Sequence, residues 1–350
     1  MRNASSSLMI VLVAIVLSPA CSSPPASPFL EPLWRLDVGP SGASIRSAGS
    51  AADSVVVSVP TGSSALLAYV EQGALAWSKE IPSASDLAVS PNGRIHYLDN
   101  IRNSEVHRIE PSGTELSSLT VGPEPAQLVA AHDTAAIVVQ SVAIGMTGVR
   151  VPRVVSVSAA STVNWERTID IGGRCLFAGV LRERNGVLVV GGLDGENVNN
   201  GCASSVESRI WLAAISASDG SLLWSQVASP TGAISDIAIG DDLIVATGDF
   251  GTLAVDADGN ERWSALEASY RTGIEIVSPD YLVIVEFARV YLMNAIDGTE
   301  SGDFVEVREA QDGRVFFDGA DTLYVAGARR RDGQSRQPAV AALRVNVPDE

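Results

Sequence analysis

The stretch Ala217–Val227 reads ASDGSLLWSQV: an Asp-Gly turn, then a short apolar run with a tryptophan four residues after the glycine. An Asp-Gly pair suits a tight hairpin because glycine accepts a positive φ at no steric cost. The same Gly-x-x-x-Trp spacing recurs as GALAW (Gly73–Trp77) and GNERW (Gly259–Trp263), and STVNW (Ser161–Trp165) keeps it without the glycine. GTELS at Gly113 and GTESG at Gly298 keep the turn and lose the tryptophan, whereas Trp34, in EPLWRLDV, has the strand without a preceding turn. The Trp-equivalent positions are 34, 77, 117, 165, 224, 263 and 302, separated by 43, 40, 48, 59, 39 and 39 residues. Five of the six tryptophans occupy this position, Trp211 being the exception. A period near forty residues built from short strands is a propeller signature.

Each unit reads as four strands. In the fifth, ISDIAIG, DLIVATG, TLAVDA and ERWSAL are strands a to d, with DADG as the c–d turn. Trp34, Trp77, Trp165, Trp224 and Trp263 then lie on the outer strand, where a flat ring covers the seam between adjacent blades. The strand-a segments, such as SIRSAGSA and DIAIG, are rich in small or β-branched residues, which suits a crowded centre. The last unit, near Val315–Val347, offers three strands before the chain ends. The strand of Trp34 is the missing fourth, so the N-terminal strand pairs with the last blade and removes a free sheet edge. The expectation is an all-β, seven-bladed β-propeller, with the degenerate second and third units leaving the count open at six or eight.

AAISASDGSLLW (Ala213–Trp224) and LLAYVEQGALAW (Leu66–Trp77) resemble the blade-closing repeat A-x-D-x-x-T-G-x-x-x-W of the quinoprotein-like (PQQ-like repeat) propellers, and LAVDADGNERW (Leu253–Trp263) resembles a shorter form of it. The resemblance covers nearly all of Pro32–Val347. It implies the fold but no quinone cofactor: quinone-dependent members place an adjacent cysteine pair beside the cofactor, and this chain has no Cys-Cys. One role implied by resemblance is that of the propeller lipoprotein that assists outer-membrane β-barrel assembly. That protein has eight blades, where seven are counted here.

The N-terminus reads as a targeting segment. Arg2 precedes a ten-residue apolar run, Leu8–Leu17, which is too short to span a bilayer, and SPAC ends at Cys21. This resembles a bacterial lipoprotein signal in which Cys21 becomes the lipidated first residue, although Ser18 stands where that pattern usually has an aliphatic residue. Ordinary cleavage after Ala20 is the alternative. Residues 1–20 are thus a signal peptide, 21–31 a Ser/Pro-rich tether and 32–350 a single propeller domain. Ser22 after the cysteine favours the outer membrane by the same resemblance. Cys175 and Cys202 remain as an even pair in an oxidising compartment. Cys175 begins strand a of the fourth unit and Cys202 lies in its long b–c loop, on the same face, so a disulfide is expected to staple the longest insertion.

With 24 Lys and Arg against 41 Asp and Glu, the net charge is −17, which argues against a nucleic-acid partner. The b–c loops nevertheless gather Arg102, Arg150, Arg153, Arg209, Arg289, Arg329, Arg330, Arg331 and Arg336, while the a–b and c–d turns carry Asp133, Asp219, Asp241, Asp242, Asp256, Asp258, Asp280, Asp297, Asp318 and Asp321. A polarised disc follows, acidic on one face and locally arginine-rich on the other. Arg150, Arg153, Arg209, Arg329, Arg330, Arg331 and Arg336 form the candidate partner surface, since guanidinium forks suit carboxylates or phosphates. No G-x-S-x-G elbow occurs, and three histidines give a catalytic triad little material. His96 and His107 would face each other across a hairpin centred near Ile101 and Arg102, but no further ligand completes a metal set. LDGENVNNG (Leu193–Gly201) is oxygen-rich, yet it lacks the alternating carboxylates of a calcium loop and reads as a solvated loop. No catalytic, cofactor or metal site is assigned.

The functional expectation is a non-enzymatic envelope lipoprotein, anchored to the membrane through Cys21, that binds an envelope protein through the arginine-bearing face and the insertion Gly195–Ser208. The alternatives are a carboxylate-dependent glycan hydrolase or lyase, and a ligand- or polysaccharide-binding module. An enzyme predicts two convergent carboxylates with perturbed pKa in the central funnel. A polysaccharide binder predicts exposed aromatics on one face.

Overall fold

The computed structural model describes residues 30–346, apart from 83, 100–104, 122–125, 133–134, 145–148, 161, 173, 199–200, 204–207, 268–269, 309–312 and 330–335. Signal peptide, Cys21 and most of the tether lie outside the described residues. The described residues form seven antiparallel sheets arranged as a β-propeller, with no helix among them long and apolar enough to cross a membrane. Blades 1 to 6 run consecutively: Ser47–Ile81, Asp86–Thr120, Ala126–Thr168, Cys175–Thr231, Ile234–Ala265 and Arg271–Glu306. Blade 7 takes three strands from Arg314–Val345 and its outer strand from Leu30–Asp37. That strand pairs antiparallel with Gln337–Val345, from Leu30↔Val345 to Asp37↔Ala339. The ring therefore closes by joining the two ends of the propeller, as the sequence predicts.

The core lies between blades rather than within them. Each of the seven seams holds a cluster of buried apolar side chains, and the seam between blades 3 and 4 holds a second, small one around Cys175. Val56, Leu67, Ile95 and Ile109 join blades 1 and 2, for example, and Leu30, Val283, Leu323 and Leu343 join blades 6 and 7. Because both faces of each sheet are covered, strands b and c read as continuous apolar runs: Leu243–Gly248 is buried at every position.

Each tryptophan of the repeat seals a seam against the turn of the next blade. A Cβ added to Gly73, Gly113, Gly220, Gly259 or Gly298 would come within 3.0, 3.3, 2.5, 2.8 or 2.5 Å of the ring of Trp34, Trp77, Trp165, Trp224 or Trp263 respectively. The same glycines take φ between 71° and 87°, so the turn requires glycine twice over. Four of the indoles also donate Nε1–H to the first residue of that turn: Trp77 to Pro111 O (2.7 Å), Trp165 to Ala217 O (3.0 Å), Trp224 to Ala257 O (2.7 Å) and Trp263 to Ala295 O (2.8 Å). The Gly-x-x-x-Trp unit is thus two halves of two different seams.

The two positions without tryptophan follow the same rule. The turn of blade 3, SAAST, has no glycine, and the facing position in blade 2 is Ser117. Arg108 takes the place of the indole there, donating to Ala159 O at 2.9 Å and to the Ser117 hydroxyl. Blade 7 has no c–d turn, because its strand d is the start of the chain, and the facing position in blade 6 is Gly302.

Two local readings need correction. Strands b and c of blade 2 pair Tyr97 with His107 and His96 with Arg108, one residue away from the expected register. A one-residue shift puts the two histidines on opposite faces: His107 stacks on Tyr97 with centroids 4.7 Å apart, and His96 is fully buried. Leu193–Val198 is not a loop but the continuation of strand b of blade 4, Val187–Val198.

Candidate functional site

The b–c loops and the connections between blades share one face, and among the described residues blade 4 alone adds a fifth strand to it. Its strand b runs past the rim and pairs with a short added strand, Gly201–Ala203, through Glu196↔Ala203 and Val198↔Gly201. Cys202 on that strand forms a disulfide with Cys175 at the start of strand a, with Cα atoms 5.6 Å apart and a sequence separation of 27. Cys175 is fully buried among Val149 and Val151 of blade 3, and the backbone N–H of Arg150 donates to Cys202 Sγ at 3.1 Å. The insertion is therefore fixed to its own blade by a covalent bond and to blade 3 by packing. At its base Asp194, almost wholly buried, accepts a hydrogen bond from Arg174 Nε (2.5 Å), has the Arg174 Nη2 in ionic contact with its other oxygen (2.5 Å) and lies 3.6 Å from Arg209.

The expected arginine surface is only partly assembled. Arg150 is exposed at the foot of the insertion, and Arg209 is half-exposed beside Asp194. Arg153 lies within strand c of blade 3, Val149–Val157, and turns its fork onto Gln140 at 2.7 and 3.2 Å, so it belongs to the blade rather than to a loop. Arg329 ends strand b of blade 7, and Arg336 precedes strand c. Arg102, Arg330 and Arg331 lie outside the described residues.

Sequence reasoning missed an aromatic group on the same face. Tyr270, between blades 5 and 6, and Phe287, in the b–c turn of blade 6, are 49% and 55% exposed with ring centroids 6.5 Å apart. Phe287 has φ 52°, the left-handed region that a bulky side chain rarely takes. Next to it Arg289 lies over the ring of the exposed Phe304 at 4.8 Å. Arg271 beneath is fully buried, bonded to Thr252 Oγ1 (2.6 Å) and Glu300 (2.8 Å). The signal was a two-residue turn, Phe287-Ala288, without the glycine, asparagine or aspartate such turns prefer.

On the opposite face the acidic residues are spent on turns. Asp219, Asp256 and Asp297 accept hydrogen bonds from Ser221, Asn260 and Thr299, and those bonds hold each carboxyl below its ordinary pKa.

The centre is not merely small and apolar. Asp86 and Asp236, on the innermost strands of blades 2 and 5, each bind three consecutive blades. Asp86 accepts from Ser47 Oγ (2.8 Å) and Val129 N (3.0 Å), and Asp236 from Arg182, Ile237 N (2.9 Å) and Ile274 N (3.3 Å). Glu275 of blade 6 lies 3.5 Å from Arg184 of blade 4, and burial raises its pKa to about 7. Asp236 is engaged by an arginine and two amides, so these two carboxylates are not a free acid–base couple.

The sequence pattern of the outer membrane protein assembly factor BamB family matches residues 102–320. The chain belongs to that family. No curated protein sequence matches it. Among solved structures it is similar to BamB from Moraxella catarrhalis, at 13% identity and TM-score 0.52, covering 86% of this chain and 85% of that one. It is also similar to the WD40 propeller domain of Doa1 (9% identity, TM-score 0.59, 91% and 97% covered) and to hydrazine synthase of Kuenenia stuttgartiensis (11%, 0.56, 87% and 96%). At these identities the likeness is one of fold.

Proposed function

We propose that this protein is a non-enzymatic scaffold of the bacterial envelope, lipid-anchored at Cys21, that docks a partner protein on the insertion-bearing face. The observation that carries this reading is the fixed relief on one face, the disulfide-stapled hairpin with Arg150 at its foot; the exposed Tyr270–Phe287 pair and Arg289 over Phe304 share that face, although exposed aromatics alone would equally suit the polysaccharide-binding alternative. Aromatic residues and arginine are the side chains enriched where protein interfaces draw their energy. Membership of the BamB family supports an envelope protein-interaction role and does not favour glycan chemistry.

Photo-crosslinking in the native cell tests the docking face. Probes at Phe287 and Arg150 are expected to give an adduct of discrete mass, and a control probe at Asp258 on the opposite face none. Adducts only from Asp258, or from no position, would overturn the assignment. In the same strain Cys21→Ser should move the protein from the membrane to the soluble fraction; unchanged fractionation would remove the anchor from the proposal.

A further inference from the structure

The outer strand of blade 7, Leu30–Asp37, fixes where the chain before it leaves the fold. Leu30 pairs with Val345, and the Val345 amide donates to Asp321 O (2.7 Å) in the a–b turn of blade 7. Glu31 and Asp321 each lie 3.5 Å from the Arg344 guanidinium. At the other end of the strand the Val38 amide donates to Pro338 O (3.0 Å), beside the b–c loop. The root of the tether is therefore on the a–b turn face, and the docking insertion is on the opposite one. The ring separates them further. Blade 7 packs on blades 6 and 1, so blades 3 and 4, which carry Arg150 and the Cys175–Cys202 hairpin, stand across the axis from it.

Two lengths decide what this means for an anchored chain. Residues 21–29 give the tether a reach of about 30 Å at full stretch. The strand Leu30–Asp37 spans about 24 Å from one face to the other. Turning the docking face onto the bilayer would make the tether run back along the height of blade 7 with almost no slack. The tether-bearing face does not lie flat on lipid either. Asp219, Asp256 and Asp297 accept hydrogen bonds there from uncharged groups and stay ionised. Anionic headgroups repel such a surface within a Debye length, about 8 Å at physiological salt.

We propose that the anchored propeller stands off the membrane with the blade 4 insertion as its membrane-distal pole. The inference deepens the docking reading and rests on the anchor at Cys21. It follows that a partner meets the insertion clear of the headgroups, and that the exposed Tyr270 and Phe287 on the docking face are not a membrane-inserting patch.

The test uses the lipidated full chain bound to vesicles of phosphatidylethanolamine and phosphatidylglycerol that carry an energy-transfer acceptor on their headgroups. A fluorescent amino acid is placed in turn at Ala320, exposed in the a–b turn of blade 7; at Asp258, in the c–d turn of blade 5; and at Arg150, at the foot of the insertion. Transfer should fall in that order, with the efficiency at Ala320 at least double that at Arg150. Transfer from Arg150 equal to or above that from Ala320, with the chain bound to vesicles, overturns the proposal and leaves the anchor standing. A chain that does not float with the vesicles removes the anchor and this inference with it, whatever crosslinking shows at the docking face. Lengthening the tether gives a second readout. A Gly-Ser segment inserted between Ala26 and Ser27 should lower transfer from Ala320, because the tether sets the distance. Unchanged transfer would mean that a surface of the propeller itself lies on the lipid, and would overturn the stand-off.

Discussion

The seam between blades 5 and 6 and the seam between blades 2 and 3 solve one problem with different chemistry. In the first, Trp263 is 9% exposed, lies against Gly298 and donates to Ala295 O. In the second, Arg108 is 5% exposed and donates to Ala159 O, which is the same position of the turn. In both, the first carbonyl of the turn gains a donor from the preceding blade. Left without a donor, a buried carbonyl such as that of Ala295 costs about 1–3 kcal/mol, whereas at the exposed Ala159 the gain is that of the charge-assisted bond itself. A guanidinium is planar and rich in donors, so it fills a flat slot as an indole does. Glycine is needed only where the filler is the wider ring: the turn facing Arg108 has none, and there the facing strand carries serine instead of tryptophan.

The strongest way to break this comparison is to remove the best-buried indole. Trp263→Ala deletes a side chain packed among Ile274, Ile284 and Tyr291 of the next blade. It should cost about 3–5 kcal/mol, the range for large buried aromatics. Urea unfolding followed by far-ultraviolet circular dichroism measures the loss. Trp224→Ala, at a ring that is only partly buried, should lose clearly less. Equal losses would mean that the tryptophans act through their own blades and not through the seams.

The glycine side of the seam sharpens the rule. Gly220→Ala and Gly113→Ala share one penalty, about 1–2 kcal/mol for a left-handed backbone. Only Gly220→Ala also drives a Cβ to 2.5 Å from the Trp165 ring; at Gly113 the distance to Trp77 is 3.3 Å. The excess for Gly220→Ala is expected at about 1–3 kcal/mol, the usual cost of overpacking. Combining Gly220→Ala with Trp165→Ala should cost less than the sum of the two, because the new methyl then meets space. Strict additivity would detach this glycine from that tryptophan.

These contacts mark where the sequence is legible and where it is not. The forty-residue period, the glycine turns and the strand of Trp34 can be read because each is local or follows from counting. The disulfide can be read because strand bookkeeping puts Cys175 and Cys202 on one face. The pairing of glycine with tryptophan cannot: Gly220 and Trp224 look like one motif, yet Gly220 faces Trp165 and Trp224 faces Gly259. The motif is real, but its contacts are tertiary and lie one repeat out of frame. The axial charges are hidden for a similar reason. Arg182, Asp236 and Glu275 sit on three different inner strands dominated by small and β-branched neighbours, and only the packing of blades 4, 5 and 6 around the axis sets Arg182 on Asp236 and Arg184 on Glu275. The exposed Phe287 is hidden more simply, because an aromatic in an apolar run reads as core.

The finest test transplants one seam into the other. Arg108→Ala should cost about 1–3 kcal/mol, since it removes an almost fully buried side chain with its hydrogen bonds to Ala159 O and the Ser117 hydroxyl and opens a gap between the blades. Ser117→Trp alone should also destabilise, because Arg108 already occupies the slot and the turn ahead lacks its glycine. The triple change Arg108→Ala, Ser117→Trp, Ser161→Gly supplies indole, space and glycine together. If the seam asks only for a donor to the first turn carbonyl and a flat surface over the turn, this variant should recover most of what Arg108→Ala loses, an effect of about 1 kcal/mol resolvable as a shift in urea midpoint. A triple variant no more stable than Arg108→Ala would mean that the blade 2–3 seam depends on the charge of Arg108 itself, and the two seams would then be different devices rather than one device built from different residues.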